Sequence, residues 1–473
     1  MALEKGSEPA EVTQSVENIE QDVVEEILIT LPPKSLMRFK CVSKWWHDLI
    51  TSPRFVAKHL SIAKQNGPST CILFKRLVCK DAETEKPGII FSLLNFTYES
   101  DNDGGGELST NLSSVEDLTI LNRVVESLSI IGHCDGIVCL ALFDTNYPAP
   151  AKASEVCLWN PAIQEFKFLP EEPFLHDWSK VPPSSIEENP YLRPICHFSE
   201  SMGFGYDARS KDYIVIDIGF SGSKYYGDPE YYGGHVIVYP PKAVVYSLRS
   251  DSWREIKTLS LERETSYLWP NIFQLYFKGM CYWSGYETQK EFVTVFETQQ
   301  DENERIGQAI ISFDTSDEVF HEVLLPYELL EVNGPVPRLH LTVWNESVAL
   351  FGSNLGSITV EWHKAKATMW VMNDCANTKA AWTKHLTFEY EEFFPDRFPR
   401  RVLAFWKSNE ILGVGENGIL VCYNLITKTV RYLPIQSVPH SLPFISGYFF
   451  YPFCGTDYVH SVVPIMNHVR RHI

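Results

Sequence analysis

Hydrophobic spacing along the chain changes once. Between Asp22 and Leu60, large apolar side chains recur every three or four positions: Val24, Ile27, Leu28 and Leu31, then Leu36, Met37 and Phe39, then Trp45, Trp46, Leu49 and Ile50, and last Phe55 and Val56. That period puts each group on one face of a short helix. Asp22 with Glu25 reads as a capping box for a first helix from Val23 to about Thr30, ended by Pro32-Pro33. Ser35 is placed to cap a second helix and Ser43 a third, and beyond Ser52-Pro53 a fourth runs from about Arg54 to Leu60. Roughly forty residues cannot build a self-sufficient core from so much apolar and aromatic side chain. The surplus predicts a docking face covered by a partner.

Past Leu60 the period falls to two. Ser69 to Lys75 and Gly88 to Leu93 read as strands, and the acidic, glycine-rich run from Glu99 to Glu107 as a loop. From Asp135 onward a hairpin pattern repeats, in which an aromatic strand residue is followed seven positions later by another large side chain across a turn rich in Asp, Asn or Ser. The pairs are 159 and 166, 246 and 253, 313 and 320, and 423 and 430; a fifth copy joins Trp370-Val371 to Trp382 by a longer turn. Each is preceded by a further strand, such as Asp212 to Ile216 or Gly279 to Trp283. Tandem antiparallel hairpins of this kind predict a kelch-like β-propeller. The copies stand further apart than the kelch period of about fifty residues, and the excess falls in loops such as 171–200, 221–235 and 285–305. A two-sheet sandwich is the competing architecture. The expected fold is a small all-α unit of three to four short helices over residues 21–61, then a large all-β domain over 62–473.

Composition adds limits. With 473 residues, 44% hydrophobic and 13% aromatic, the chain can bury a large core, and its formal charge of −19 excludes nucleic acid and anionic membrane as main partners. A basic protein partner would be drawn in by that field. Residues 1–20 hold Glu4, Glu8, Glu11, Glu17 and Glu20 with little large apolar content, and are expected to be a disordered tail. The start lacks the basic tip and apolar run of a signal peptide, and the apolar stretch SLPFISGYFFYPF is broken by Pro443, Gly447 and Pro452, so a soluble, cytoplasmic or nuclear protein is expected. Eleven cysteines without a CxxC pair predict free thiols, with neither zinc nor disulfides.

Candidate chemistry is sparse. Gly413 to Gly418 matches GxGxxG, but Ile419 to Tyr423 after it reads as a strand where a dinucleotide site needs a helix, so Asn417-Gly418 is expected to be a type I′ hairpin turn. There is no GxSxG elbow, HExxH or Walker loop, and the histidines are scattered. No catalytic residue, cofactor or metal is expected. Two segments have the make-up of protein-reading loops: Tyr225 to Tyr232, with Tyr225, Tyr226, Tyr231 and Tyr232 beside Asp228 and Glu230, and Tyr390 to Asp396, with Glu391 and Glu392. Tyrosine offers large contact area at small entropic cost.

The run Leu31-Pro32-Pro33-Lys34-Ser35-Leu36-Met37-Arg38-Phe39-Lys40-Cys41-Val42-Ser43-Lys44, followed by Trp46, Leu49-Ile50 and Phe55, resembles the F-box of plant F-box proteins. The resemblance implies docking on a Skp1-like adaptor, and through it on cullin-1 and a RING protein, with Leu31, Pro32, Leu36, Val42, Trp46 and Leu49 as the apolar contacts or their support. Cys134 to Cys139, Trp159-Asn160-Pro161-Ala162, Gly203 to Asp207, Trp253-Arg254-Glu255-Ile256, Trp370-Val371-Met372 and Ser461-Val462-Val463-Pro464 are similar to the F-box-associated domain. With LMRFKC, SPRFVAKHL and STCIL they resemble pollen S-locus F-box proteins and their "brothers", which implies a basic S-ribonuclease as substrate. The expected function is therefore the substrate receptor of a Skp1–cullin–F-box ubiquitin ligase. Two alternatives stay open: an F-box receptor for an unrelated substrate, and a propeller that binds a small molecule or sugar, with or without catalysis, which predicts titratable groups converging on its central channel.

Overall fold

In the computed structural model of the protein, the described residues are 21–65, 71–79, 87–100, 108–118, 128–143, 153–173, 192–226, 234–294, 305–330, 338–353, 366–373, 382–389, 401–406, 410–414, 419–424, 427, 429–436, 455–457 and 462–465. Four helices come first: α1 (residues 21–28), α2 (Pro33–Phe39), α3 (Lys44–Thr51) and α4 (Pro53–Gln65). None is long and apolar enough to cross a membrane.

Strands follow. β1 (Cys71–Cys79), β2 (Pro87–Ser100) and β3 (Leu108–Leu118) begin blade one. Blade two is β4 (Leu128–Cys134), β5 (Ile137–Phe143), β6 (Ala153–Asn160) and β7 (Glu165–Phe168). Blade three is built on β8 (Leu192–Asp207) and β9 (Asp212–Tyr226), with β10 (Gly234–Val238), β11 (Lys242–Ser247) and β12 (Ser252–Ile256). Blade four comprises β13 (Ser266–Phe277), β14 (Met280–Gln289), β16 (Arg305–Asp314) and β17 (Val319–Val323), and its short β15 (Glu291–Thr294) crosses over to pair with β10 of blade three. A four-residue helix, α5 (Tyr327–Leu330), leads into blade five: β18 (Arg338–Trp344), β19 (Ser347–Ser353), β20 (Lys366–Met372) and β21 (Trp382–Glu389). Blade six is β22 (Arg401–Trp406), β23 (Glu410–Val414), β24 (Ile419–Asn424) and β25 (Val430–Gln436). Finally β26 (Gly455–Asp457) pairs with β1, Ile72 opposite Asp457 and Phe74 opposite Gly455, and so completes blade one from the far end of the chain.

The result is a six-bladed propeller, and six separate sheets replace the two of a sandwich. The inner strands β4, β8, β13, β18, β22 and β26 follow one another about the axis, each in contact with the next. Where β4 meets β13, a Cβ on Gly132 would lie 2.6 Å from the ring of Phe273, so only glycine admits that ring to the axis.

The repeating pairs occupy the third and fourth strands of blades two, three, four and six. Trp159 faces Phe166, Tyr246 faces Trp253, Phe313 faces Phe320 and Tyr423 faces Val430 as direct cross-strand partners. The ring centroids of the first three pairs are 5.5, 5.4 and 4.7 Å apart. The residue after each strand aromatic builds the turn. Asn160 Oδ1 accepts from the Ala162 amide at 3.0 Å, Ser247 Oγ from Ser250 at 3.1 Å, Asp314 Oδ1 from Ser316 at 2.8 Å and Asn424 Oδ1 from Thr427 at 2.9 Å. Blade five departs from the expected pairing: Trp382 faces Met372, and Trp370 faces Lys384.

Several local expectations are corrected. α1 is already helical at Gln21, so Asp22 lies inside it and is not its cap. α2 starts at Pro33 after Pro32, without a side-chain cap, and Ser35 sits within its first turn. Ser43 does cap α3, accepting from the Trp46 amide at 3.2 Å, and Ser52 accepts from Phe55 at 3.2 Å at the start of α4, which continues to Gln65. β23 and β24 pair as an antiparallel hairpin, so no helix follows the GxGxxG run, although Asn417-Gly418 lies outside the described residues.

Candidate docking face of the helical unit

Leu28, Ile29, Leu36, Ile50 and Phe55 form the core of the helical unit, with Val24, Leu31, Met37, Phe39, Trp46 and Leu49 half-buried around it. The inward face of α1 differs from the periodicity reading. Ile29 is buried, whereas Ile27 is 58% exposed. Trp46 meets Phe39 edge-on at 5.3 Å and Trp45 at 6.4 Å. The His59 ring, buried in α4 and stacked on Phe55, holds the α1–α2 turn by donating from Nε2 to the Leu31 carbonyl at 3.1 Å. Burial lowers the His59 pKa and the Leu31 hydrogen bond opposes it, so the neutral ring is the folded form.

Apolar side chains remain on the outside. Val23 is 53% exposed, Val42 60% and Trp45 37%, and Pro32 and Cys41 are also exposed. Val23 and Ile27 are four residues apart on one stripe of α1. The unit as a whole is basic, with Lys34, Arg38, Lys40, Lys44, Arg54, Lys58 and Lys64 against Asp22, Glu25, Glu26 and Asp48, in a chain whose formal charge is −19; its acids are concentrated on α1 and its bases on α2 to α4. A shallow cleft of about 370 Å³ is lined by Lys40, Cys41, Ser43, Lys44, His47 and Asp48. Val42 and Trp45, left in water beside Lys40 and Lys44, suit a partner that is apolar at its centre and acidic at its rim.

Of the six positions expected to serve the adaptor, Pro32 and Val42 face outward, Leu31, Trp46 and Leu49 are half-buried, and Leu36 is wholly inside the core. Val23, Ile27 and Trp45 belong with the exposed set and were missed. The i, i+4 spacing of Val23 and Ile27 was a signal for them.

The helical unit sits on one end of the propeller. Lys64 of α4 reaches Asp135 in the β4–β5 turn at 2.6 Å, the other Asp135 oxygen accepts from the Tyr213 hydroxyl at 3.0 Å, and Lys34 pairs with Glu116. Tyr276 donates to the Tyr206 carbonyl at 2.7 Å in the same region. Desolvation and Asp135 raise the pKa values of Tyr206, Tyr213 and Tyr276, which keeps these hydroxyls protonated. Of these groups, Asp135 and Glu116 tie the helical unit to the propeller through Lys64 and Lys34, while Phe273 fills the axis beside Gly132. Among the described residues, no group of three His, Cys, Asp or Glu side chains could hold a metal ion.

The substrate-reading candidates lie elsewhere. Tyr225 and Tyr226 are the last two residues of β9, opposite His235 and Gly234 of β10, and so belong to a strand where a loop was expected. β9 begins at Asp212, beside the helical unit, and fifteen strand residues at about 3.3 Å each carry its end to the opposite side of the propeller. Tyr231, Tyr232, Glu391 and Glu392 lie outside the described residues.

Residues 96–465 match the model of the F-box associated beta propeller domain, and residues 17–58 match that of the F-box domain. Among curated relatives from Arabidopsis thaliana, the chain is 25% identical to an F-box only protein over 276 residues, covering 58% of this chain and 55% of that protein. It is 29% identical to an F-box/kelch-repeat protein over 205 residues, 43% of this chain and 45% of that one. To F-box/WD-40 repeat-containing protein 1 it is 23% identical over 452 residues, 91% and 87% of the two chains. The chain thus spans about half the length of two of these relatives and most of the third. A solved levansucrase from Bacillus subtilis overlays with a TM-score of 0.31 at 10% identity, covering 66% of this chain and 84% of that one, a likeness too low to carry any argument.

Proposed function

Because the chain belongs to the F-box associated β-propeller family and carries an F-box ahead of its propeller, we propose that it is the substrate-recognition subunit of a Skp1–cullin–F-box ubiquitin ligase. The observation that carries this reading is the set of exposed apolar residues Val23, Ile27, Val42 and Trp45 on the otherwise packed F-box helices. A Skp1-like adaptor would cover them and connect the chain to cullin-1 and a RING protein. The propeller would hold a protein substrate near the ubiquitin-charged enzyme, so that the rate gain comes from effective concentration and no bond-making group is needed on this chain. Pro32 and Val42 would touch the adaptor directly, and Leu36 would support them from the core. Tyr225 and Tyr226, on the end away from the helical unit, would contribute to the substrate face together with Tyr231, Tyr232, Glu391 and Glu392.

The substrate we assign is a basic S-ribonuclease of the pistil. The resemblance of LMRFKC, SPRFVAKHL and STCIL to pollen S-locus F-box proteins supports this, as does the formal charge of −19, which favours a basic partner.

The test is binding of a purified Skp1-like protein to the full chain. Ile27→Asp with Val42→Asp changes two exposed positions, so the fold should persist while the dissociation constant rises about a hundredfold. A wild-type chain that does not bind the adaptor, or a double variant that binds as well as wild type, would refute the adaptor site. In a reconstituted ligase, S-ribonucleases should be ubiquitinated and an acidic control protein should not. Equal modification of both, or of neither, removes the S-ribonuclease assignment and leaves the receptor role standing.

A further inference from the structure

The core of the helical unit is finished by a residue from the other end of the chain. Val462, 3% exposed, packs in the same cluster as Leu28, Ile29, Leu36, Ile50 and Phe55, and Ile163 of the β6–β7 turn joins them. The next residues belong to the propeller: Val463 and Ile465 are buried in a cluster with Cys139, Leu158, Val215 and Tyr246. Residues 462–465 therefore lie between the two units, with Val462 facing the helices and Val463 and Ile465 facing the blades, as alternation in an extended segment requires.

Two polar contacts fix this strap in register. The wholly buried Asn160 donates from Nδ2 to the Val463 carbonyl at 2.9 Å while its Oδ1 accepts from the Ala162 amide, and Glu165 Oε2 accepts from the Ile465 amide at 2.8 Å. Asn160 and Glu165 end β6 and begin β7, so the strap is held by a blade turn that must already be formed. Upstream, only residues 458–461 separate the strap from β26, the strand that closes blade one against β1. Closing the ring and completing the helical core thus use one continuous piece of chain. Val56 of α4 packs against both clusters and Lys64 adds its ion pair to Asp135, so helix and strap are seated together.

A helical unit of about 45 residues is too small to be stable alone, and here the missing apolar surface comes from Val462. We propose that residues 462–465 are a closure-dependent strap that makes the adaptor face conditional on a complete propeller: the F-box helices acquire their docking geometry only when β26 has closed the ring and the strap has seated. Chains that end early, or whose ring is open, would then be excluded from the ligase. The adaptor half of this proposal rests on the function proposed above; the structural half does not.

The test uses the full chain and two readouts, backbone amide exchange and binding to a purified Skp1-like protein. Val462→Asp puts a carboxylate into the helical core and leaves β26 intact. Exchange across residues 21–65 should accelerate at least tenfold, β13 to β21 should stay protected, and adaptor affinity should fall at least tenfold. Val462→Ala is the milder companion, with a smaller acceleration confined to the same helices and readable even if the aspartate variant fails to fold. Unchanged exchange in the helical unit of Val462→Ala, or wild-type adaptor affinity in a folded Val462→Asp, would overturn the proposal. Failure of the wild-type chain to bind the adaptor would instead count against the ligase role, while the exchange data would still decide whether the strap holds the helices.

Discussion

The two ends of the propeller are built by different rules. At the end that carries the helical unit, the strands of blades two to four are joined by short turns, Asp135-Gly136 and Lys278-Gly279 between first and second strands and residues 161–164, 248–251 and 315–318 between third and fourth. Blade five has Asn345-Glu346 between its first two strands, while the third-to-fourth connections of blades one and five, 101–107 and 373–381, are longer. All the left-handed backbone angles among the described residues fall in this set of turns and the matching β8–β9 turn: Asp135, Gly136, Gln164, Lys211, Asp251, Lys278, Gly279, Glu318, Asn345 and Glu346 have φ between 46° and 84°. At the other end the connections run over stretches such as 169–191, 227–233 and 331–337. Tight turns with fixed backbone angles hold a flat, reproducible floor on which a helical unit can be seated, whereas long connections cost little to vary. One end is specified by geometry and the other is free for specificity.

The largest expected effect is at the specified end. Phe55 is completely buried where the helices meet the strap's Val462, and Phe55→Ala should cost about 3–5 kcal/mol of the stability of that region. Amide exchange of α1 to α4 would rise steeply in this variant while β13 to β21 keep wild-type protection. Uniform loss of protection throughout the ring would show that the two ends are not separable.

Acid should attack the same end next. His133, two residues before Asp135 of the inner-strand turn, has its pKa pushed down to about 4 by desolvation against the opposing pull of Asp135, and burial lowers that of His59 in α4 as well. Both rings are neutral when folded, whereas an unfolded histidine takes up its proton near pH 6.5. The unfolded state therefore binds more protons below that pH. Stability is full above about 6.5 and falls as pH drops toward 4, by at most about 3 kcal/mol for His133. Urea midpoints at pH 7 and pH 4.5 measure this, and His133→Gln should flatten the slope over that window. An unaltered slope would mean that His133 takes up its proton as readily folded as unfolded.

What was legible in the sequence follows the same division. The seven-residue pairs stand out because both partners and the turn between them are local: Trp159, Asn160 and Phe166 define one blade edge without reference to anything distant. Four blades are legible in this way, and blade five only through a copy with a longer turn whose pairing differs. Blade one is not, since its inner strand, β26, comes from residues 455–457 and its outer hairpin spans 101–107 without the paired rings. In the helical unit, periodicity finds the helices but puts Ile27 inward and passes over Ile29, because the buried face at α1 is set by the strap and propeller as well as by its own neighbours. Ser461 to Pro464 was visible as a familial signature, but the role of Val462 depends on a contact between the two ends of the chain, which no local pattern encodes.

The smallest expected effect is at the free end. β9 and β10 pair from Gly222–Val238 through Tyr226–Gly234, and residues 227–233 join them. Replacing those seven residues with Asn-Gly would supply a two-residue type I′ turn suited to an antiparallel pair. Because loop-closure entropy varies slowly with length, stability should change by less than about 1 kcal/mol. Adaptor binding should be untouched, since β9 carries this loop to the end opposite Lys64 and Asp135. Substrate capture should fall, because Tyr231 and Tyr232 leave with the loop. A large loss of stability would show that this connection is part of the fold. Loss of adaptor binding would show that the ends communicate, and either result would dissolve the division between a seated floor and a variable face.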